Sequence, residues 1–138
     1  MAEVKITREF PHSAEKVWAV LANFGDISWA PGIEKVEVIG EGPGMTRRIF
    51  MPEMDPIDEV MDSIDHSAMT LRYTIPSGNP LPITDYLAGP QVVAIGDNQC
   101  RVEWIGQFQP AGISEAEASE AVGGIYTMML QWLDESLA

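Results

Sequence analysis

The chain has 138 residues, 46% of them hydrophobic, which suits one domain (residues 1–138) with a core of its own. Its formal net charge of −13 is spread along the sequence and repels phosphate backbones and acidic bilayers, so we expect no nucleic-acid partner. No run approaches the ~18–20 consecutive apolar residues of a membrane span, so we also expect no membrane insertion. A single cysteine, Cys100, excludes an internal disulfide and a thiolate metal cluster. The first residues lack the pattern of a signal peptide, and together these features favour a cytoplasmic location.

The first elements in chain order are a strand and one or two short helices. Residues 4–10 alternate apolar and polar side chains, which predicts a strand. Ser13 precedes a segment whose apolar residues recur at helical spacing, so we expect a capped helix there. Asp26 is placed to cap a second short helix that runs through Trp29.

Six further strands are predicted in the middle of the chain. Apolar and β-branched runs alternate there with short connections rich in Gly, Pro, Asn and Asp. These connections are too short for crossover helices, so the strands should form an antiparallel meander. The predicted ranges are 34–39, 45–51, 57–64, 69–75, 84–95 and 101–109.

The last element is a long amphipathic helix. Ser114 and Glu117 have the spacing of a capping box, and an apolar stripe follows as far as Leu133. Gly123 and Gly124 each cost about 1 kcal/mol relative to alanine in a helix, so we expect a close neighbour or a bend at this point.

The order of elements predicts an α+β helix-grip fold. A seven-stranded curved antiparallel sheet should wrap around the long C-terminal helix, with two short helices after the first strand. A single helix on so large a sheet should leave a gap, and this gap is the natural place for a ligand.

Six short strings are spread almost from end to end of the chain. They cover residues 14–18, 23–25, 44–47, 58–59, 85–86 and 108–110. In this order and spacing they resemble the START-like superfamily, also called SRPBCC, which includes polyketide cyclases, the birch-pollen allergen family and the plant abscisic-acid receptors.

The resemblance implies a lipophilic pocket between the sheet and the last helix. Two loops at its mouth would act as gates, and here they correspond to residues 52–56 and 77–82. Neither loop carries the Ser-Gly-Leu-Pro or His-Arg-Leu signature of the receptor branch, which argues against hormone signalling.

The resemblance also implies which positions face the pocket. It places a cavity lysine, two pocket acids, two tyrosines of the wall and two residues of the last helix. These are Lys35, Glu59, Glu103, Tyr73, Tyr86, Ile125 and Met129. Met61 shares the strand face of Glu59 and belongs to a set of methionines that could form an adaptable apolar wall.

Strand parity decides which of the charged candidates point inward. Lys35 is an ordinary solvated lysine if its valine neighbours face the core, and Glu103 is outside if Trp104 points inward. Glu59 lies on the same face as two apolar residues, Ile57 and Met61, which favours the cavity.

Two adjacent arginines present the same choice. One of Arg47 and Arg48 must face the concave side of the sheet if both lie in a strand. An inward arginine could clamp a ligand carboxylate or phosphate. The alternative that we favour is a cross-strand ion pair with Glu59 or Asp58.

Three functions are compatible with these features. The first is a carrier or sensor, monomeric or homodimeric, for a small hydrophobic, aromatic or lipid-like molecule. The second is an enzyme of the polyketide cyclase/dehydratase type, in which Glu59 with Tyr86 or Arg48 provides acid–base chemistry. The third is a protein–protein interaction module that uses the gate loops. No metal or cofactor is expected, because the two histidines are far apart and no phosphate-binding motif is present.

Overall fold

The computed structural model describes residues 1–138 and shows an α+β fold in which a seven-stranded sheet curves around the C-terminal helix. Its elements are β1 (Ala2–Phe10), α1 (Ala14–Ala22), β2 (Lys35–Ile39), β3 (Thr46–Phe50), β4 (Ile57–Asp65), β5 (Thr70–Thr74), β6 (Ile83–Gly96), β7 (Gln99–Pro110) and α2 (Glu115–Leu137). The strand order is β1-β7-β6-β5-β4-β3-β2, with every neighbouring pair antiparallel. The predicted fold class is confirmed, and each observed strand ends within two residues of the predicted one.

The segment between α1 and β2 differs from the prediction. In place of a second short helix it forms consecutive turns, one of them closed by Ala30 N donating to Ile27 O at 2.9 Å. Asp26 stabilises a turn at this point, because its Oδ1 accepts a hydrogen bond from Ser28 N at 3.0 Å. A helix cannot continue here, because Pro31 has no N–H group to donate. The few residues before Pro31 form too few helical hydrogen bonds to compensate the free-energy cost of helix nucleation.

The core lies between the concave face of the sheet and the two helices. It consists of 24 buried residues in one cluster. Along β7 the side chains of Val102, Trp104 and Phe108 are buried on this concave side, whereas those of Arg101 and Glu103 point to the convex side. In the other strands, too, this alternation decides whether a charged side chain lies on the concave or the convex face.

Helix α2 packs mainly on β1 and β7, at one side of the sheet. Gly123 faces β1, where a methyl group would make ordinary van der Waals contact with Ile6 Cδ1 at 3.6 Å and Val4 Cγ1 at 3.7 Å. β1 is therefore the neighbour of Gly123, although this contact does not require a glycine. Because the helix lies to one side, the concave surface of β4, β5 and β6 is only partly covered. Neither helix is both long enough and apolar enough to cross a membrane.

Gly124, unlike Gly123, faces open space, so its replacement tests helix propensity alone. We expect Gly124→Ala to raise the free energy of unfolding by about 1 kcal/mol, because alanine loses less backbone entropy in a helix. Chemical denaturation would measure this change. The matched control is Gly78→Ala, which also meets no neighbour but has a φ of 72° and should lower stability. A loss of stability at position 124 would show that the helix needs its glycine.

Candidate functional site

A cavity of about 180 Å³ lies between α2 and the concave surface of β4, β5 and β6. Most of its lining is apolar. The lining residues are Met51, Ile57, Glu59, Tyr73, Ile75, Asn79, Pro80, Leu81, Tyr86, Ile125, Tyr126 and Met129. The second of the two expected gate loops, residues 77–82, therefore contributes to the wall, whereas the first contributes only Met51, the residue just before it.

The charged centre beside the cavity is Arg47, the one charged side chain of the chain that is buried. Its Nε donates a hydrogen bond to Glu59 Oε1 at 2.7 Å, and its Nη1 donates to the carbonyl oxygen of Phe24 at 2.9 Å. The guanidinium also lies over the ring of Phe24, 4.0 Å from its centroid, and 5.1 Å from that of Tyr73. These contacts compensate a charge that would be costly to bury without partners.

Glu59 has one carboxylate oxygen that no protein group uses. The ion pair with Arg47 uses Oε1, and Oε2 accepts no hydrogen bond from the protein. No fully enclosed side-chain oxygen in the structure lacks a partner, so Oε2 must have accessible surface. Because Glu59 lines the cavity, Oε2 is an acceptor that a bound molecule can use.

All three tyrosines of the chain lie at this cavity. The hydroxyl oxygens of Tyr86 and Tyr126 are 2.5 Å apart and share a hydrogen bond. The hydroxyl of Tyr73 accepts a hydrogen bond from Trp104 Nε1 at 3.3 Å. Gly106 on β7 makes room for this arrangement, because a Cβ atom there would overlap the Tyr126 hydroxyl.

The three hydroxyls are neutral hydrogen-bonding groups. Burial raises the pKa of Tyr73, Tyr86 and Tyr126 above the ordinary tyrosine value, so none of them acts as a base near neutral pH. The Tyr86–Tyr126 bond uses one of the two hydroxyl protons, so the pair keeps one further proton that it can donate.

Five of the residues expected at the pocket line the cavity: Glu59, Tyr73, Tyr86, Ile125 and Met129. Ile125 lies at the rim and is 38% exposed. Met61 does not line the cavity. It lies in the adjoining core, 3% exposed and paired with Tyr73 across β4 and β5.

Two expected pocket residues lie on the convex face, and the structure corrects both placements. Lys35 points outward because Val36 and Val38 share the inner face of β2, and its Nζ lies 3.8 Å from Glu37 Oε2. Glu103 points outward because Trp104 points inward. Its Oε2 accepts a hydrogen bond from Arg101 at 2.9 Å.

Arg48 is also outside the cavity, so it is not available as a catalytic group there. It forms two hydrogen bonds with Asp58, at 2.8 and 3.1 Å, on the convex face. The cross-strand pairing that we favoured for the arginines is confirmed for both, because Arg47 pairs with Glu59 on the concave face.

Tyr126 is the main cavity residue that sequence reasoning missed. The resemblance singles out Ile125 and Met129 on the last helix and does not include this tyrosine. The buried positions of α2 are Ala118, Val122, Tyr126, Leu130 and Leu133, a series with helical spacing that includes the tyrosine. This helical spacing is the sequence signal that identifies Tyr126 as an inward-facing residue. No group of three or more His, Cys, Asp or Glu side chains is arranged to hold a metal ion.

A curved antiparallel sheet that grips a C-terminal helix, with a cavity between them, defines the START-like helix-grip class. The chain belongs to the family described as polyketide cyclase/dehydrase and lipid transport, whose model matches residues 1–138. No curated protein resembles the chain closely enough to count as a match.

Solved structures extend this comparison. XoxI from Bacillus cereus is 30% identical, with a TM-score of 0.87 over 99% of this chain and 95% of that one. An uncharacterized protein from Bacillus thuringiensis is also 30% identical, with a TM-score of 0.87 and 98% of each chain covered. Norcoclaurine synthase from Thalictrum flavum is similar in fold, at 19% identity and a TM-score of 0.75 over 98% of this chain and 85% of its own.

The two neighbouring arginines allow a matched test of the buried ion pair. We expect Arg47→Leu to lower the free energy of unfolding by about 3–5 kcal/mol, because Glu59 loses the partner that compensates its charge. Arg48→Leu removes an exposed ion pair and should cost far less. Denaturant unfolding of the two variants would measure the difference, and similar losses would contradict the role assigned to Arg47.

The tyrosines predict a dependence of stability on alkaline pH. Their pKa is raised in the folded protein, whereas in the unfolded chain it is about 10. The stability that these tyrosines contribute to the folded protein is therefore complete below pH of about 10. It is lost as the pH rises further, because the unfolded chain releases protons that the folded one retains. Tyrosinate absorbance should appear together with unfolding. A gradual titration near pH of about 10 in a folded protein would contradict the burial of these hydroxyls.

Proposed function

We propose that this chain is a single-domain carrier or sensor that binds a small hydrophobic or aromatic molecule between the sheet and α2. The observation that supports the proposal is the cavity, in which a mostly apolar wall surrounds a few polar groups, Glu59 Oε2 and the hydroxyls of Tyr86 and Tyr126. This is the usual composition of small-molecule sites, in which the apolar wall provides affinity and the polar groups orient the ligand. The family description, which names lipid transport, supports the same reading.

The size of the cavity limits the ligand. A dry apolar cavity of about 150 Å³ is known to hold one benzene molecule, whereas sites for drug-sized ligands span about 300–1,000 Å³. At about 180 Å³, this cavity matches a molecule built on one aromatic ring. A longer lipid-like ligand would require the loop at residues 77–82, which provides Pro80 and Leu81, to move away from α2.

A second candidate function is catalysis of the cyclase or dehydratase type. The observation that favours it is the presence of a carboxylate acceptor, Glu59, and a neutral hydroxyl donor from the Tyr86–Tyr126 pair in one apolar cavity. Such a combination could move a proton between two positions of a bound substrate. Arg48 has no part in this version, because it lies on the convex face.

The remaining features of the proposal follow from charge and redox chemistry. A net charge of −13 disfavours nucleic acid and acidic lipid surfaces as partners, so we propose a small molecule as the partner. The lone cysteine, Cys100, is buried and forms no disulfide bond, which agrees with action in the cytoplasm. We propose a monomer or a homodimer.

Adjacent methionines on α2 allow a matched test of the cavity. Met129 lines it, whereas Met128 is 49% exposed and does not. Met129→Trp should fill the space and weaken the binding of toluene at least about tenfold, while Met128→Trp should bind as the wild type does. Ligand-observed NMR would measure both affinities. The proposal fails if the wild type binds no small aromatic compound, or if the two variants bind equally well.

A further inference from the structure

We propose that the cavity selects neutral aromatic ligands that carry a hydroxyl group, such as phenols, and discriminates against carboxylates. This inference rests on the proposed function, because it names the ligand chemistry of the same cavity. The charges at the cavity wall, the unused hydrogen-bonding groups there and the available volume support it.

The wall offers no positive group for a ligand carboxylate. None of the lining residues is a lysine, an arginine or a histidine. Arg47, the ion-pair partner of Glu59, does not line the cavity, and its Nε and Nη1 are used on Glu59 and the Phe24 carbonyl. Arg8 is held by Asp134 of α2 through two hydrogen bonds at 3.0 and 3.2 Å. A carboxylate would therefore lose its hydration on entering the apolar cavity without gaining a positive partner.

A cationic ligand is also disfavoured, although Glu59 is acidic. Arg47 lies 2.7 Å from Glu59, so the pair as a whole carries no net charge. An ammonium group would lose its hydration on entering the apolar cavity without gaining a full counter-charge. The ligand that fits this environment is therefore neutral.

The unused hydrogen-bonding groups specify a hydroxyl. Glu59 Oε2 needs a donor, and the Tyr86–Tyr126 pair has one hydroxyl proton left for an acceptor. A phenolic hydroxyl donates one hydrogen bond and accepts others, so it can serve either group. A hydrogen bond to a charged acceptor is stronger than one between neutral groups, and a gain of about tenfold in affinity over the bare ring is expected.

Three probes with one common body test the inference on the wild-type protein. Toluene, p-cresol and p-toluate share a methyl-substituted ring and differ in a single group, which is absent, a hydroxyl or a carboxylate. Titration calorimetry at neutral pH should give p-cresol an affinity about tenfold higher than that of toluene. The affinity of p-toluate should be the lowest of the three.

A pair of variants tests whether Glu59 causes the preference for the phenol. Glu59→Gln should reduce the preference for p-cresol over toluene several-fold, because the charged acceptor is lost. It should also raise the affinity for p-toluate, because the pair with Arg47 then carries a net positive charge. Asp58→Asn changes the neighbouring carboxylate, which pairs with Arg48 on the convex face, and should leave all three affinities unchanged. Thermal unfolding would verify that both variants fold, and the wild-type series decides the question even if Glu59→Gln does not fold.

The outcomes separate this inference from the proposed function. If toluene and p-cresol bind equally well, or if p-toluate binds most tightly, the cavity binds ligands but the inferred selectivity is wrong. If none of the three probes binds, the proposed function itself fails, and the inference fails with it.

Discussion

The burial of one positive charge constrains the architecture around the cavity. Arg47 lies on the concave face of β3, where its charge can be accommodated only if an opposite charge and hydrogen-bond acceptors compensate it. Glu59 on β4 provides the counter-charge, the carbonyl of Phe24 accepts a further hydrogen bond, and the rings of Phe24 and Tyr73 cover its faces. The arginine thereby ties two strands to the turn after α1 and holds the Glu59 carboxylate at the cavity wall.

The position of α2 explains why there is a cavity at all. A helix centred over the sheet would fill the concave surface, but α2 packs on β1 and β7, where Gly123 lies beside Val4 and Ile6. The space left over β4, β5 and β6 is bounded by apolar residues, with the ion pair and the tyrosine hydroxyls at its polar points. Close packing on one side of the sheet and an open space on the other are thus two results of the same placement.

The fold could be predicted from the sequence because its turns and periodicities are strong local signals, and every predicted strand is present. The site residues were harder to predict. Positions transferred by resemblance placed Lys35 and Glu103 in the cavity, although the alternation around Val36 and Trp104 places both outside. Glu59 was placed on the correct face because resemblance and alternation agreed there. The cavity volume depends on where α2 lies on the sheet, and this is a property of tertiary packing that no local pattern encodes.

The contact between Gly106 and Tyr126 restricts how sequences of this kind can diverge. A side chain at position 106 would occupy the space of the Tyr126 hydroxyl, so any larger residue there requires that residue 126 first lose its oxygen. The reverse order passes through an overpacked intermediate. The two positions should therefore covary among descendants of this chain, with substitution in the helix preceding substitution in the strand.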